Sequence, residues 1–474
     1  MTALNAQSAE ANSSYSLTSP YFFAELERFG QRVAAIEGAT QLTYAELAQA
    51  CGDFAQSLTE RSGLTRALVF LKAHNDIATL VAYLACQQQA HPVLLLDPNI
   101  SAEKLTKLQG LFQPNLMIDR GEIACCHLKQ LSLAPKLALL LSTSGSTGAA
   151  KQVCLSALNL AANAQSICAY LPIQAQDKTI TTLPFFYSYG LSVINSHLQA
   201  GACIVFNQLS LLSREFWTLF TTQHITSFAG VPYSYEMLLR LRFDTMRLPS
   251  LRYFTQAGGK LATEKVSLLA QCAQAKGQQF FVMYGQTEAT ARMAYLPSER
   301  VAYKPSAIGQ AIPSGEFLLM DATQHTITAS QQEGELYYRG PNVMLGYASE
   351  LAELSGFETI DVLATGDLAY RDDEGDYVIV GRCKRIIKLF GQRLDLDDIE
   401  ALLAEHGHPC YCLGNDTKLQ VAVKNHTDVN ALKTWLSQQL QIHASVIELK
   451  SVAVLPLTAN GKKDYPAILE VFND

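Results

Sequence analysis

Short, uninterrupted apolar runs separated by helix-patterned stretches constrain this chain most. Residues 67–71 and 92–96 are such runs, bounded by polar or turn residues, and 77–84 between them has helical spacing. The alternation continues through 137–141, 180–183, 203–206, 227–230, 253–256 and 280–284, with helical stretches such as 191–198 and 263–273 between strands. A strand that is apolar on both faces must be covered on both, and a parallel sheet between helices supplies that cover. Ahead of the first run, Thr43-Tyr44-Ala45-Glu46 has the capping-box pattern, and Leu47, Phe54 and Leu58 follow at helical spacing. The expected fold class is α/β, with a large body of layered or doubly wound α/β structure.

From about Gly315 the texture changes to short strands and turns, as in GELYYRG and DYVIVGR, which predicts a smaller β subdomain. Residues from Lys384 onward read as a compact α+β unit, with helices at 397–405 and 429–440 around a strand at 419–423. Only the charged run Arg382-Cys383-Lys384-Arg385 precedes it, a connection short enough to serve as a pivot. The expected division is a flexible, polar tail over 1–19, a large domain over 20–383 and a small mobile C-terminal domain over 384–474.

A chain of 474 residues is too long for one ordinary core, and 49% hydrophobic content supplies ample apolar surface for several. The formal net charge of −7 provides no basic footprint, so nucleic acid is not an expected partner. The 11 cysteines are scattered, without repeated CxxC pairs or zinc-ligand spacing, and read as reduced thiols of a cytoplasmic protein. No apolar run approaches the ~20 residues of a membrane span, and the first residues lack a signal-peptide pattern.

The chemistry begins at Leu141–Val153, LSTSGSTGAAKQV. Glycines permit close backbone approach, hydroxyls donate hydrogen bonds and lysine adds charge, so Thr143, Ser144, Gly145, Ser146, Thr147, Gly148 and Lys151 could wrap a polyphosphate. The Walker A register is missing, and on composition alone a surface turn competes equally. Four further stretches stand in order behind it: MYGQTEAT (283–290), GELYYRGPNVMLGY (334–347), the segment 364–400 beginning ATGDLAYRDDEGDYVIVGRCKR, and PLTANGKKDY (456–465). Their order and spacing resemble the adenylate-forming superfamily of acyl- and aryl-CoA synthetases, luciferases and peptide-synthetase adenylation domains, over about residues 20 to 467.

The resemblance implies ATP-dependent conversion of a carboxylic acid to an acyl-adenylate with release of pyrophosphate. Transfer to the pantetheine thiol of coenzyme A, or of an acyl or peptidyl carrier protein, then follows. Such activation works by positioning and charge neutralisation. By the same resemblance the 143–148 residues and Lys151 hold the β- and γ-phosphates, Glu288 binds Mg²⁺ and Thr287 meets the α-phosphate. Tyr284 stacks on adenine, with Gly258 and Gly285 in the same nucleotide site, and Asp367 and Arg382 hold the ribose. Lys462 meets the substrate carboxylate and the α-phosphate; with Glu288 and Thr287 it forms the catalytic set. Lys384 is the hinge on which the small domain turns, withdrawing Lys462 and bringing Lys388, Phe390 and Gly391 to the thiol channel. The chain departs from the family pattern at Ala150, Gln152, Tyr465 and Tyr187, the last standing where many relatives have histidine.

Phe185, Phe186, Tyr187, Tyr189, Gly230, Gln256 and Met283 are the expected acid pocket. Amino-acid-activating relatives place an aspartate in this region to pair with the substrate ammonium, because a buried cation without a counter-ion is costly. No acidic residue lies between Pro184 and Gln199. A small carboxylic acid lacking an α-amine is the expected substrate. A stand-alone amino-acid-adenylating ligase that loads a carrier protein, a catalytically silent nucleotide binder and a phosphotransferase remain alternatives.

Overall fold

The computed structural model describes residues 21–142, 151–389, 392–415, 417–424, 428–440, 442–459 and 461–473. They fall into two compact units, one of residues up to 143, 150–317 and 338–363, the other of 318–337 and 364–474 with 144–149.

The first unit holds two sheets. One runs Gly346–Ala348, Gln152–Ser156, Leu137–Ser142, Val93–Leu96, Val69–Lys72, Leu116–Asp119, Glu122–Cys125. Its central pairs are parallel and its outer pairs antiparallel. The other runs from Ala307–Ala311 through Ala294–Leu296, Gln279–Tyr284, Tyr253–Gln256, Ser227–Gly230, Lys178–Ile180, Cys203–Phe206 and Val33–Glu37 to Thr40–Thr43. It is parallel from Gln279–Tyr284 to Val33–Glu37. Every residue of Val93–Leu96, Cys203–Phe206, Ser227–Gly230 and Tyr253–Gln256 is buried, as strands covered on both faces require.

Local signals explain most element boundaries. The Thr43 hydroxyl accepts from Glu46 N–H at 3.2 Å while Glu46 accepts from Thr43 N–H at 2.8 Å, and helix Tyr44–Ser62 starts there. Its buried stripe is Leu47, Cys51, Ala55 and Leu58; Phe54 lies at the edge, half-buried, because the i+4 row through Cys51 faces the core. The strand expected at 180–183 is Lys178–Ile180. Beyond it Thr181 and Asn207 exchange side-chain and backbone hydrogen bonds that end the ladder.

In the second unit, Leu363–Arg371 pairs antiparallel with Tyr377–Arg382 and neighbours Gly334–Arg339. The C-terminal part carries the hairpin Ile386–Leu389/Gln392–Asp395 and a sheet of Cys410–Asn415, Lys418–Lys424 and Ile447–Val452. Helices Leu396–Glu405 and Val429–Leu440 contribute Leu403 and Leu436 to its core beside Leu419 and Val421. All 11 cysteines are free thiols. Among the described residues no helix is long and apolar enough to cross a membrane.

Candidate active site

Strand Gln279–Tyr284 runs into the 3-10 turn Thr287–Ala289, which carries Glu288. Gly285 is required between them: a Cβ there would stand 1.7 Å from Ala291 O. Thr290 takes a left-handed φ of 64°, a conformation that costs a non-glycine residue of order 1 kcal/mol. Its hydroxyl donates to Asn342 O at 2.6 Å, and Asn342 Nδ2 donates to Ala289 O at 2.8 Å, which fixes the turn.

The Glu288 carboxylate accepts from the Tyr347 hydroxyl at 2.8 Å, and Lys151 Nζ lies 5.8 Å from the centre of the same ring. This juxtaposition is built by the sheet: Tyr347 pairs with Val153 in antiparallel register, and that strand begins directly after Lys151. Burial first, then the Glu288 carboxylate, push the Tyr347 phenol above its ordinary pKa, so it remains a donor. The Thr287 hydroxyl lies 3.1 Å from that of Ser188, the first residue of helix Ser188–Ala200. Gln286 donates to the Tyr284 hydroxyl at 3.4 Å.

Beside this turn, Tyr187, Tyr189 and Met283 join Leu183, Ala229, Val231 and Ala257 in one apolar cluster. Gly258 has φ of +85°, and a Cβ there would stand 2.5 Å from the Tyr187 hydroxyl. Tyr187 thus fits against a residue with no side chain. The Tyr189 hydroxyl donates to Thr255 O at 3.0 Å, and burial pushes that phenol up to about 12. Gln256 is buried with its amide turned to Gly259 O at 2.8 Å, and the Gly230 Cα faces the Tyr235 ring. Phe185 packs edge-on against Tyr83 at 5.7 Å, and Phe186 is half-buried.

In the second unit, Asp367 and Arg382 are register partners with Nε and Oδ1 2.9 Å apart, the carboxylate buried and the guanidinium exposed. Lys462 closes a tight turn: Thr458 N–H donates to Lys462 O at 2.8 Å and Lys462 N–H to the Thr458 hydroxyl at 3.2 Å. Its neighbour Lys463 is ion-paired to buried Glu400, which also binds Arg385 at 2.7 Å and the Tyr465 hydroxyl at 3.1 Å. Lys384 lies in the 3-10 turn Cys383–Arg385 and Lys388 on strand Ile386–Leu389. Thr143, Ser144, Gly145, Ser146, Thr147, Gly148, Phe390 and Gly391 lie outside the described residues.

Three residues given no role by sequence reasoning enter here: Tyr347, Glu400 and a buried arginine, Arg292, whose guanidinium lies 5.0 Å from the Tyr189 ring centre. Among the described residues no three Asp, Glu, His or Cys side chains converge as a metal cage. A lone carboxylate such as Glu288 fits Mg²⁺, which commonly binds through one or two carboxylates together with substrate phosphates.

A layered α/β body with a carboxylate-bearing turn close to Lys151 is the arrangement that the resemblance to adenylate-forming enzymes calls for. The model of the AMP-binding enzyme family matches residues 22–135 and 129–348, and the chain belongs to that family. It is 29% identical over 342 residues to an oxalate–CoA ligase of Arabidopsis thaliana, covering 69% of this chain and 65% of that protein. It is 27% identical over 403 residues to a 2-succinylbenzoate–CoA ligase of Bacillus subtilis, covering 79% and 80% of the two. The fold is shared with o-succinylbenzoate CoA synthetase of Bacillus subtilis in complex with its acyl-adenylate, at a TM-score of 0.77 and 22% identity, over 94% of this chain and 98% of that one.

Proposed function

We propose that this chain is an AMP-forming acid–thiol ligase that activates a small carboxylic acid with ATP and passes the acyl group to the pantetheine thiol of coenzyme A. A carrier protein's pantetheine arm is the alternative acceptor. In the first step a carboxylate oxygen bonds to the α-phosphorus as the bond to pyrophosphate breaks. In the second the thiol bonds to the carbonyl carbon, its proton leaves and AMP departs. The observation that carries the reading is the Lys151–Tyr347–Glu288 juxtaposition, which joins the exit of the Ser/Thr/Gly loop to the carboxylate turn. The CoA-ligase names of the sequence relatives support it.

Residues are assigned by the charge each step develops. Lys151 and the hydroxyls of 143–148 neutralise the departing pyrophosphate. Glu288, held by Tyr347, is the protein ligand for Mg²⁺, which when bound screens the phosphate charge. Thr287 donates toward the α-phosphate, Asp367 and Arg382 hold the ribose, and Lys462 draws carboxylate and α-phosphate together. Lys384 is the pivot that withdraws Lys462 before the thiol enters. Acid-dependent exchange of labelled pyrophosphate into ATP tests the proposal. Exchange with some acid of a fatty, aryl, dicarboxylic and amino-acid panel, abolished in Lys462→Ala, is expected; no exchange with any acid refutes it.

A further inference from the structure

The acid pocket contains a cation that the proposed function has not used. Arg292 is 2% exposed and ranks among the largest fully buried side chains of the chain. It lies just before strand Ala294–Leu296, which pairs antiparallel with Gln279–Tyr284. Its backbone is clamped from two sides, its carbonyl accepting from Asn163 Nδ2 at 2.9 Å and from Asn342 Nδ2 at 3.1 Å. The backbone at Arg292 is thus tied through Asn342 to the turn that carries Glu288.

What surrounds that guanidinium is apolar or weakly polar. One terminal nitrogen lies 3.4 Å from Met283 Sδ and 3.5 Å from the Tyr170 hydroxyl, the group stands over the Tyr189 ring, and Nε has no hydrogen-bond partner among the described residues. Among the described residues no carboxylate is ion-paired with it. His197 adds no second cation beside it, since burial pushes that imidazole down to about 4 and leaves it neutral. The Asn163 Oδ1 is likewise without a partner.

A cation taken from water costs several kcal/mol, and a buried arginine normally recovers this from a carboxylate held across its fork. Contact with an aromatic face returns about 2 kcal/mol or somewhat more when desolvated, without neutralising the charge. Five donors with one thioether, one distant hydroxyl and one ring to meet are a binding site lacking its anion. Of the three side chains in contact, Met283 and Tyr189 belong to the cluster of the expected acid pocket and Tyr170 packs against it.

We infer that Arg292 is the receptor for a second anionic group on the acid, so that the substrate is a dicarboxylic acid whose distal carboxylate pairs with this guanidinium. This rests on the ligase reading above. It also agrees with the expectation of an acid without an α-amine, since an ammonium would enter a pocket that has a fixed cation and no aspartate between Pro184 and Gln199 to receive it.

The test is pyrophosphate exchange with matched pairs of acids, in which each aliphatic or aryl dicarboxylic acid is compared with its neutral mono-amide. The intact enzyme should favour the diacid by tenfold or more in kcat/KM. Arg292→Met should lose about a hundredfold toward diacids and lose none toward mono-amides, and Arg292→Lys should recover part of the diacid activity. A fold defect would lower both members of each pair together and leave the ratio unchanged. If Arg292→Met does not fold, the ratio in the intact enzyme decides alone. Exchange with neutral acids and no diacid preference overturns the role of Arg292 while leaving the ligase reading standing; no exchange with any acid overturns the ligase reading itself.

Discussion

Glu400 is the residue whose removal should most disturb the C-terminal part of the chain. Its side chain is 3% exposed and serves four partners: Arg385 at 2.7 Å, Lys463, the Tyr465 hydroxyl at 3.1 Å and the Cys412 N–H at 2.7 Å. Glu400→Ala would leave a guanidinium that is 13% exposed with Asp397 as its remaining carboxylate, and would strip the Cys412 amide of its acceptor. Deleting one member of a buried ion pair costs about 3–5 kcal/mol. Asp397 stays on Arg385 and Lys463 is 46% exposed, so the lower end applies, about 3 kcal/mol. A change of that size raises the population of the opened segment about a hundredfold. Amide hydrogen exchange over 410–424, the strands packed on this network, measures it directly. Glu400→Gln keeps the shape but not the charge and should fall between. Exchange rates within threefold of the intact protein in Glu400→Ala would show that these partners are solvated as easily as they are paired.

Tyr347→Phe removes a charge-assisted hydrogen bond from a half-exposed site, and should lower kcat/KM for MgATP by about tenfold; unchanged initial rates would remove Tyr347 from the site. Gly258→Ala puts a methyl where the Tyr187 hydroxyl stands, at a positive φ, and should raise KM for the acid much more than KM for ATP in steady-state assays. Lys384→Pro should leave pyrophosphate exchange intact while blocking thioester release, and equal loss of both half-reactions would refute the pivot. His197 is buried against Val193 O, Ser227 and Tyr253, with a folded pKa of about 4 against an ordinary 6.5. The unfolded chain therefore binds the extra proton first, so stability is full above pH 6.5 and is lost as pH falls toward 4, by about 3 kcal/mol. Denaturation of His197→Asn across that window should show a shallower slope.

Strands apolar on both faces were legible wherever four successive buried positions left no other reading, and Cys203–Phe206, Ser227–Gly230 and Tyr253–Gln256 carry the bounds their residues predict. The helix at Tyr44 was legible from its capping box, because that signal is local and chemical. The helical spacing of Leu47, Phe54 and Leu58 marks the helix but not its buried face, because Cys51 and Ala55 are the residues that face inward and Phe54 lies at the edge. The end of the strand at Ile180 was missed because it is set by Asn207, a residue on a neighbouring strand's exit.

The site divides along the same line. The stretches around Glu288, Asp367 and Lys462 stand out in sequence through their own neighbours, although Glu288 and Lys462 sit in turns and Asp367 inside strand Leu363–Arg371. Tyr347 closes the motif 334–347, but nothing in that motif tells its role: its hydroxyl meets a carboxylate 59 positions earlier because two antiparallel strands place it there. Arg292 is harder still, for an arginine four residues beyond Glu288 reads as solvated unless its burial is known. Charge that is informative in sequence is charge on a motif, and charge that is informative in structure is charge without a partner. The absence of an acid between Pro184 and Gln199 and the presence of a buried cation at Arg292 are two sides of one electrostatic requirement, and only the first can be read before the chain is folded.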